Sequence, residues 1–198
     1  MIRFPQDNYV VFDFETTGFI PGEAHVIQMS ALKVKGDKIT EFNEFVKVDY
    51  PVPEKITELT GITDAKLAES GQDEEDAWFL FNNFIENLPL VGHNSIAFDR
   101  LFLEEAAKRW RFDAPIASRY IDTAMMMKAK KLGETPKYYE NHYRFCIRIS
   151  EIRAKGVYYK LQLCCDELGL DTSHLTAHQS DSDYHMTNML YRHITAQQ

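Results

Sequence analysis

Cysteine is scarce in this 198-residue sequence, and its scarcity excludes several classes of protein. The three cysteines, Cys146, Cys164 and Cys165, follow no C-x-x-C spacing, so the sequence carries neither a zinc motif nor a dithiol redox motif of that kind. A small, odd number of thiols is typical of a reducing compartment and excludes a disulfide framework. We therefore expect three small, buried or half-buried side chains in a cytoplasmic protein.

Long apolar runs are also absent. No stretch approaches the roughly 18 apolar residues that a membrane-spanning helix needs. The N-terminal MIRFPQDNYVVFDFE lacks the apolar core of a signal peptide. Internal repeats and low-complexity tracts are missing as well. With 44% hydrophobic and 26% charged residues, the composition is that of a soluble globular chain, and we expect residues 1–198 to form a single domain that contacts no membrane.

Positive charge is in deficit overall but concentrated in one segment. Lys and Arg number 22 against 30 Asp and Glu, a net charge of -8, whereas proteins that bind phosphates usually carry a positive surface. Residues 128–160 reverse the balance with nine basic and three acidic residues, interleaved with six aromatic ones. This mixture suits single-stranded nucleic acid, because cations attract phosphates and rings stack on bases. The alternative is a solvent-exposed helical segment whose aromatic residues pack against the rest of the domain.

Hydrophobic patterning predicts an α/β fold. Strands are expected at residues 9–14, 26–34 and 39–48, with a polar hairpin turn between the second and the third. A loop with a short helix is expected at residues 56–64. Short strands at 88–91 and 119–121 then alternate with helices at 73–87, 97–109, 122–131, 161–168 and 181–197. This order favours one sheet with helices on its faces.

Four acidic residues in three separated segments suggest a metal site. Asp13 and Glu15 stand two apart at the end of the first predicted strand, so their side chains share a face. Asp99 follows a short strand in HNSIAFD, and Asp183 lies five positions after His178. Each acid alone has an ordinary structural explanation. Together their repulsion would need cations to offset it, and two divalent ions about 3.5–4 Å apart could also clamp a phosphodiester.

The motif order resembles that of the DEDDh (DnaQ-like) 3′–5′ exonucleases. VFDFETTG, LTGIT, HNSIAFD, IDT and a His-x4-Asp pair follow one another along nearly the whole chain. The set is most similar to the epsilon-type proofreading exonuclease domain of bacterial DNA polymerase III. The resemblance implies a ribonuclease-H-like fold, in which three antiparallel strands and then parallel strands form a mixed five-stranded sheet flanked by helices. It also implies removal of 5′-mononucleotides from the 3′ ends of single-stranded nucleic acid.

The resemblance further implies a role for each matching residue. Asp13, Glu15, Asp99 and Asp183 match the acids that hold two divalent ions, Mg²⁺ or in its place Mn²⁺, in a two-metal mechanism. His178 matches the general base, and Asp181 fits less well than Asp183 because it lies only three residues from His178. The positions that grip the terminal nucleotide, or support the site, correspond to Phe14, Thr16, Thr17, Leu59, Thr60, Ile62, Asn94 and Phe98. Leu59 and Phe98 could equally be core residues.

The sequence departs from the family pattern after the IDT motif. Residues 128–160 fill a segment that is usually shorter, and we expect this insertion to form an arm beside the active site. Its proposed strand contacts are Lys137, Arg144, Arg148 and Arg153. ETTG after Asp13 favours DNA as the substrate; the alternatives are an RNA-directed exoribonuclease and a non-catalytic nucleic-acid-binding or interaction module of the same fold. The chain ends soon after its last predicted helix, which argues for a stand-alone nuclease and against association with a polymerase.

Overall fold

The computed structural model describes residues 3–175 and 180–196, with side chains for all of these except residues 180 and 181. Within this part of the chain, one sheet contains the strands β1 (Asn8–Thr16), β2 (Val26–Lys35), β3 (Lys38–Phe45), β4 (Leu90–Gly92) and β5 (Tyr120–Asp122). Their order is β3-β2-β1-β4-β5. The pairs β1–β2 and β2–β3 are antiparallel, and β1–β4 and β4–β5 are parallel. The predicted mixed sheet is confirmed.

The helices surround this sheet. They are α1 (Glu54–Thr60), α2 (Asp64–Ser70), α3 (Glu74–Ile85), α4 (Asp99–Trp110), α5 (Thr123–Leu132), α6 (His142–Glu151), α7 (Leu161–Glu167) and α8 (Ser180–Thr195). The five helices predicted with bounds correspond to α3, α4, α5, α7 and α8, with ends that differ by a few residues. None of the described helices is long and apolar enough to cross a membrane.

Three elements differ from the prediction. The short helix expected within residues 56–64 is α1, which begins earlier, at Glu54, and ends where Gly61 adopts the left-handed conformation at φ 74°; the helix α2, which begins three residues later, was not predicted. The third strand ends at Phe45 instead of residue 48: the Val46 N–H still donates to the Ile27 carbonyl at 3.0 Å, but the next residue, Lys47, donates to the Gln72 carbonyl at 2.9 Å. The helix α6 was not predicted separately. It begins where the Asn141 side chain accepts a hydrogen bond from the Arg144 N–H at 2.9 Å.

Alternation along β1 decides what each face of the sheet contacts. Phe12 and Phe14 pack on one face, where α3 and α4 contribute to the main core. Val11 packs on the opposite face, against α8. Because side chains two apart on a strand share a face, Asp13 and Glu15 lie on the α8 face, directly beyond its apolar contacts.

The insertion 128–160 packs against the domain through one side of α6 and leaves many of its other residues exposed. Phe145, Cys146 and Ile149 lie on one side of α6 and are buried in the main core. These three side chains pack against the domain, as the alternative interpretation of this segment predicts. Tyr138 and Tyr158, in contrast, are exposed. All three cysteines of the chain are buried and free, as expected.

Candidate active site

Three carboxylates meet at the carboxyl end of β1. Oxygen atoms of Asp13, Glu15 and Asp183 all lie within 4.8 Å of one another, and each of these residues is half-buried. Strand alternation aims the first two at α8, and α8 packs across β1 and β2 with Asp183 in its first turns. His178 and the side chain of Asp181 lie outside the described residues.

The fourth predicted acid, Asp99, connects β1 to the beginning of α4. Its side chain is buried, and its Oδ1 atom accepts a hydrogen bond from the Phe14 N–H at 3.0 Å. Because β1 and β4 are parallel, their carboxyl ends lie at the same edge of the sheet. The loop 93–98 that follows β4 therefore delivers Asp99 to the cluster formed by Asp13, Glu15 and Asp183.

Burial and like charge raise the pKa values of these carboxyls. Burial first, and then the neighbouring carboxylates of Asp99, Glu15 and Asp183, hold the pKa of Asp13 well above its usual range. The same causes raise the pKa of Glu15 to about 8. Burial raises the pKa of Asp99 to about 7 against the opposing effect of the Phe14 N–H bond. A cluster of carboxylate oxygens that repel one another is the donor set that suits a hard divalent cation, so these residues fit a metal site.

Another buried carboxylate, Asp122, organises the loop that leads to Asp99. It accepts hydrogen bonds from the backbone N–H groups of Asn94 at 3.0 Å and Ile96 at 3.1 Å. It also accepts from Ala124 at 3.0 Å and Met125 at 3.2 Å, at the beginning of α5. Asp122 belongs to the IDT motif, but no role was predicted for it from the sequence. The signal was an acid at the first position of the helix predicted at 122–131, which indicates a cap and does not reveal bonds to a distant loop.

A cavity of about 850 Å³ opens over the carboxylates. Its lining includes Asp13, Phe19, His93, Asn94, Asp183, Met186 and residues 157–162. Phe19 is 81% exposed, and its ring meets that of Phe98 edge-on at 6.3 Å between centroids. Phe19 was not among the predicted contacts. The residue follows TTG directly, yet an aromatic side chain in a loop does not reveal from sequence whether it is buried.

The predicted contacts directly after Asp13 hold the local backbone. The Phe14 ring is buried against α3, and the Phe14 backbone N–H donates to the Asp99 carboxylate. The Thr16 hydroxyl donates to the Gly18 carbonyl at 2.6 Å. The Thr17 hydroxyl accepts from the His25 N–H at 3.0 Å and lies 2.9 Å from the Tyr50 hydroxyl. Both threonines thus shape the loop that carries Phe19.

The LTGI motif presents one side chain and buries another. Leu59, at the end of α1, is 50% exposed, whereas Ile62 is 3% exposed in a small apolar cluster. The Thr60 hydroxyl donates to the Ile56 carbonyl at 2.9 Å and accepts from the Ile62 N–H at 3.1 Å. Of these predicted contacts, Leu59 is the one whose side chain is open to solvent.

The predicted arm residues lie away from the cavity lining described above. Arg148 is held by carboxylates of its own segment, 2.7 Å from Glu134 and 2.6 Å from Glu140. Lys137, Arg144 and Arg153 are exposed. The strand-binding role of these four residues stays a prediction. The part of the insertion that does line the cavity is residues 157–160.

Known proteins share both the sequence pattern and the fold. The pattern of the RNase_T exonuclease family matches residues 10–191. The PolC-type DNA polymerase III of Clostridium perfringens is 36% identical over 152 residues, which cover 70% of this chain and 10% of that protein. The enzyme of the same name from Pediococcus pentosaceus is 29% identical over 197 residues, which cover 93% of this chain and 13% of that protein. The chain therefore spans only about a tenth of the length of these relatives.

Solved structures of Exonuclease I from E. coli have the same fold. Its complex with a dA16 oligonucleotide superposes with a TM-score of 0.74 at 18% identity, over 98% of this chain and 42% of that one. Its complex with a dT13 oligonucleotide gives a TM-score of 0.72 at 18% identity, over 96% and 41%. The predicted resemblance to DnaQ-like 3′–5′ exonucleases is confirmed, and the family match over residues 10–191 shows that the chain belongs to the RNase_T exonuclease family.

Proposed function

We propose that this chain is a divalent-metal-dependent 3′–5′ exonuclease that releases 5′-mononucleotides from single-stranded DNA. The observation that carries the proposal is the cluster of Asp13, Glu15 and Asp183, which opens into a cavity large enough for a nucleotide. Family membership supports the class of reaction. The oligonucleotide complexes of the structural neighbour support single-stranded DNA as the substrate.

The cluster would hold two divalent ions, with Mg²⁺ as the physiological ion and Mn²⁺ as a substitute, since both accept all-oxygen ligand sets. Asp13, Glu15 and Asp183 would be the direct ligands, with Asp99 beside them. Bound there, the ions would offset carboxylate repulsion and stabilise the charge that develops on phosphate oxygens during hydrolysis.

The remaining residues would orient the strand and move the proton. An unperturbed imidazole has a pKa near 6.5, so His178 can accept a proton from the attacking water at neutral pH. Asp99 holds the backbone of Phe14 and so fixes the end of β1. Phe19 and Phe98 together offer an apolar edge against which the terminal base can pack.

The test is digestion of matched 5′-labelled substrates by the wild-type chain. With Mg²⁺, single-stranded DNA should shorten one nucleotide at a time from its 3′ end, and EDTA should stop the reaction.

Asp13→Asn and Asp183→Asn should abolish hydrolysis, because each removes a charged ligand. His178→Ala should slow turnover by about 10²- to 10⁴-fold while leaving metal binding, measured by calorimetry, nearly unchanged.

A control variant and a matched RNA substrate decide how the digestion results are interpreted. Asp171→Asn removes an exposed carboxylate outside the cluster and should retain full activity, and circular dichroism should show that every variant folds. Full activity in Asp13→Asn or Asp183→Asn would overturn the assignment of the site. Faster digestion of matched RNA than of DNA would instead identify an exoribonuclease.

A further inference from the structure

Residues 157–160, the part of the insertion that lines the cavity, are held in place beside the carboxylates of Asp13 and Asp183. The Tyr158 carbonyl accepts a hydrogen bond from the Lys131 ammonium at 2.6 Å. The next carbonyl, that of Tyr159, accepts from the His93 ring at 2.8 Å. Two successive carbonyls are thus held by groups from α5 and from the loop after β4, which restricts the backbone of this segment.

The side chain of Tyr159 strengthens this attachment. Its ring packs against the main core and also against the smaller cluster beneath α7 and α8. The Lys128 ammonium lies 5.7 Å from the ring centroid and donates a hydrogen bond to the Ser150 carbonyl at 3.2 Å. These contacts of Lys128 are a second attachment between α5 and the rest of the insertion. The cavity wall formed by residues 157–160 is therefore part of the packed structure.

Tyr158 differs from its neighbour because its side chain remains open. It is 67% exposed, although its backbone is held and the residue lines the cavity together with Asp13 and Asp183. Lys160, two residues on, is exposed, lines the same cavity and forms no ion pair with the described residues. An aromatic face and a free ammonium at one wall are the two groups that a single strand requires, one for a base and one for a phosphate.

We propose that Tyr158 and Lys160 form a second contact for the bound strand, in which the Tyr158 ring stacks on a base and the Lys160 ammonium contacts a phosphate. This contact lies on the insertion and is separate from the cation-binding acids. The inference rests on the proposed function for its substrate, a single strand whose 3′ end occupies the carboxylate cluster. His93 and Lys131 hold the backbone from which the Tyr158 side chain projects.

Binding is measured by fluorescence anisotropy with a labelled single-stranded DNA in EDTA, so it does not depend on hydrolysis. Tyr158→Ala should weaken binding by about 5- to 150-fold, the effect of losing one stacked base. Tyr158→Phe keeps the aromatic face and should bind like the wild type. Lys160→Gln should lower the slope of log Kd against log salt by about 0.7, the contribution of one phosphate on a single strand.

The insertion offers matched controls away from the cavity. Tyr138→Ala removes a fully exposed tyrosine, and Lys155→Gln removes an exposed charge, yet neither residue lines the cavity. Both variants should bind like the wild type. Equal losses for Tyr138→Ala and Tyr158→Ala would mean a general effect of the insertion and would overturn the proposal, as would unchanged binding in Tyr158→Ala.

Hydrolysis separates the strand contact from the reaction centre. The p-nitrophenyl ester of thymidine 5′-monophosphate carries a single nucleotide and therefore has no second base and no internucleotide phosphate for Tyr158 and Lys160 to contact. Tyr158→Ala should raise the KM for an oligonucleotide and leave cleavage of the ester unchanged. An equal loss on both substrates would place Tyr158 at the reaction centre and overturn the second contact. If the wild type cleaved neither substrate, the proposed function would fail, and the binding measurement in EDTA would still decide the inference.

Discussion

At the scale of single residues, the carboxylate of Asp122 shows how a group outside the acid cluster can control the cluster. It is 1% exposed and accepts four backbone N–H bonds, two from the loop after β4 and two from the first turn of α5. Burial raises the pKa of Asp122, and the four N–H bonds oppose that rise. Because the loop leads directly to Asp99, Asp122 fixes how that acid approaches β1.

Asp122→Asn should therefore destabilise the fold and slow hydrolysis. The amide replaces one accepting oxygen with a donor and leaves at least one buried N–H group without a partner, which costs about 1–3 kcal/mol per group. Urea unfolding should show a lower midpoint with an unchanged m-value, and kcat should fall because the loop 93–98 loses its anchor. The exposed Asp171→Asn variant is the control. A midpoint equal to that of the wild type would show that Asp122 does not anchor the loop.

Local rules were enough to anticipate part of this site. Alternation along a strand predicts that Asp13 and Glu15 share a face. The resemblance to the DEDDh family, through its His-x4-Asp motif, selects Asp183, whose carboxylate lies beside theirs. The bonds of Asp122 to Asn94 could not be predicted, since they depend on the parallel pairing of two short strands. Sequence also gives no measure of exposure, so the open side chain of Tyr158 was not distinguished from the half-buried side chain of Tyr159.

At the scale of secondary structure elements, β4 ends in a close approach between chain segments. A Cβ atom added at Gly92 would lie 2.4 Å from the Ser95 Cβ and 2.6 Å from its Oγ atom. Ser95 is fully buried and belongs to the loop that carries Asn94 and leads to Asp99. Glycine at this position therefore allows the loop to fold back over the strand end.

Gly92→Ala should displace that loop. Overpacking of this kind costs about 1–3 kcal/mol, so thermal unfolding should occur at a lower temperature and oligonucleotide hydrolysis should slow. The double variant Gly92→Ala/Ser95→Gly removes the two nearest clashing atoms and should recover much of the loss, giving a favourable coupling in a double-mutant cycle. Additive losses in the double variant would show that the contact with Ser95 is not the cause.

The helix α6 was missed because two patterns overlap in its sequence. Its buried positions, Phe145, Cys146 and Ile149, alternate with basic residues. The excess of basic residues predicts an arm or a solvent-exposed helical segment over the whole of residues 128–160. This signal obscures the apolar face of α6 within the segment. A short helix whose main signal is its packing against β5 is difficult to detect from one sequence, because tertiary contacts and not intrinsic propensity stabilise it.

At the scale of the whole molecule, the distribution of charge matters more than its sum. The chain carries a net charge of -8, yet three acids are concentrated in one half-buried cluster. Across the same cavity, the wall formed by residues 157–160 carries Lys160. The total therefore does not exclude a phosphate-bearing ligand, because the cluster is suited to cations and the neighbouring wall is positive.

Concentrating carboxylates in this way should make the metal-free protein less stable as the pH rises. The fold raises the pKa of Glu15 from its ordinary value of 4.5 to about 8, and it raises the pKa of Asp99 from 3.8 to about 7. Between these limits the folded chain binds protons that the unfolded chain has released, so the free energy of unfolding falls as the pH increases from about 4 to 8.

Thermal unfolding in EDTA at several pH values, compared between the wild type and Glu15→Gln, should reveal this effect. The melting temperature of Glu15→Gln should fall less between pH 5 and pH 8, because the variant has no proton to lose at position 15. Glu23→Gln, which removes an exposed carboxylate, should follow the wild type. Mg²⁺ should stabilise the wild type more at pH 8 than at pH 5, since the ion binds the deprotonated carboxylates. Identical pH profiles for the wild type and Glu15→Gln would contradict the raised pKa and, with it, the electrostatic repulsion that makes the cluster a cation site.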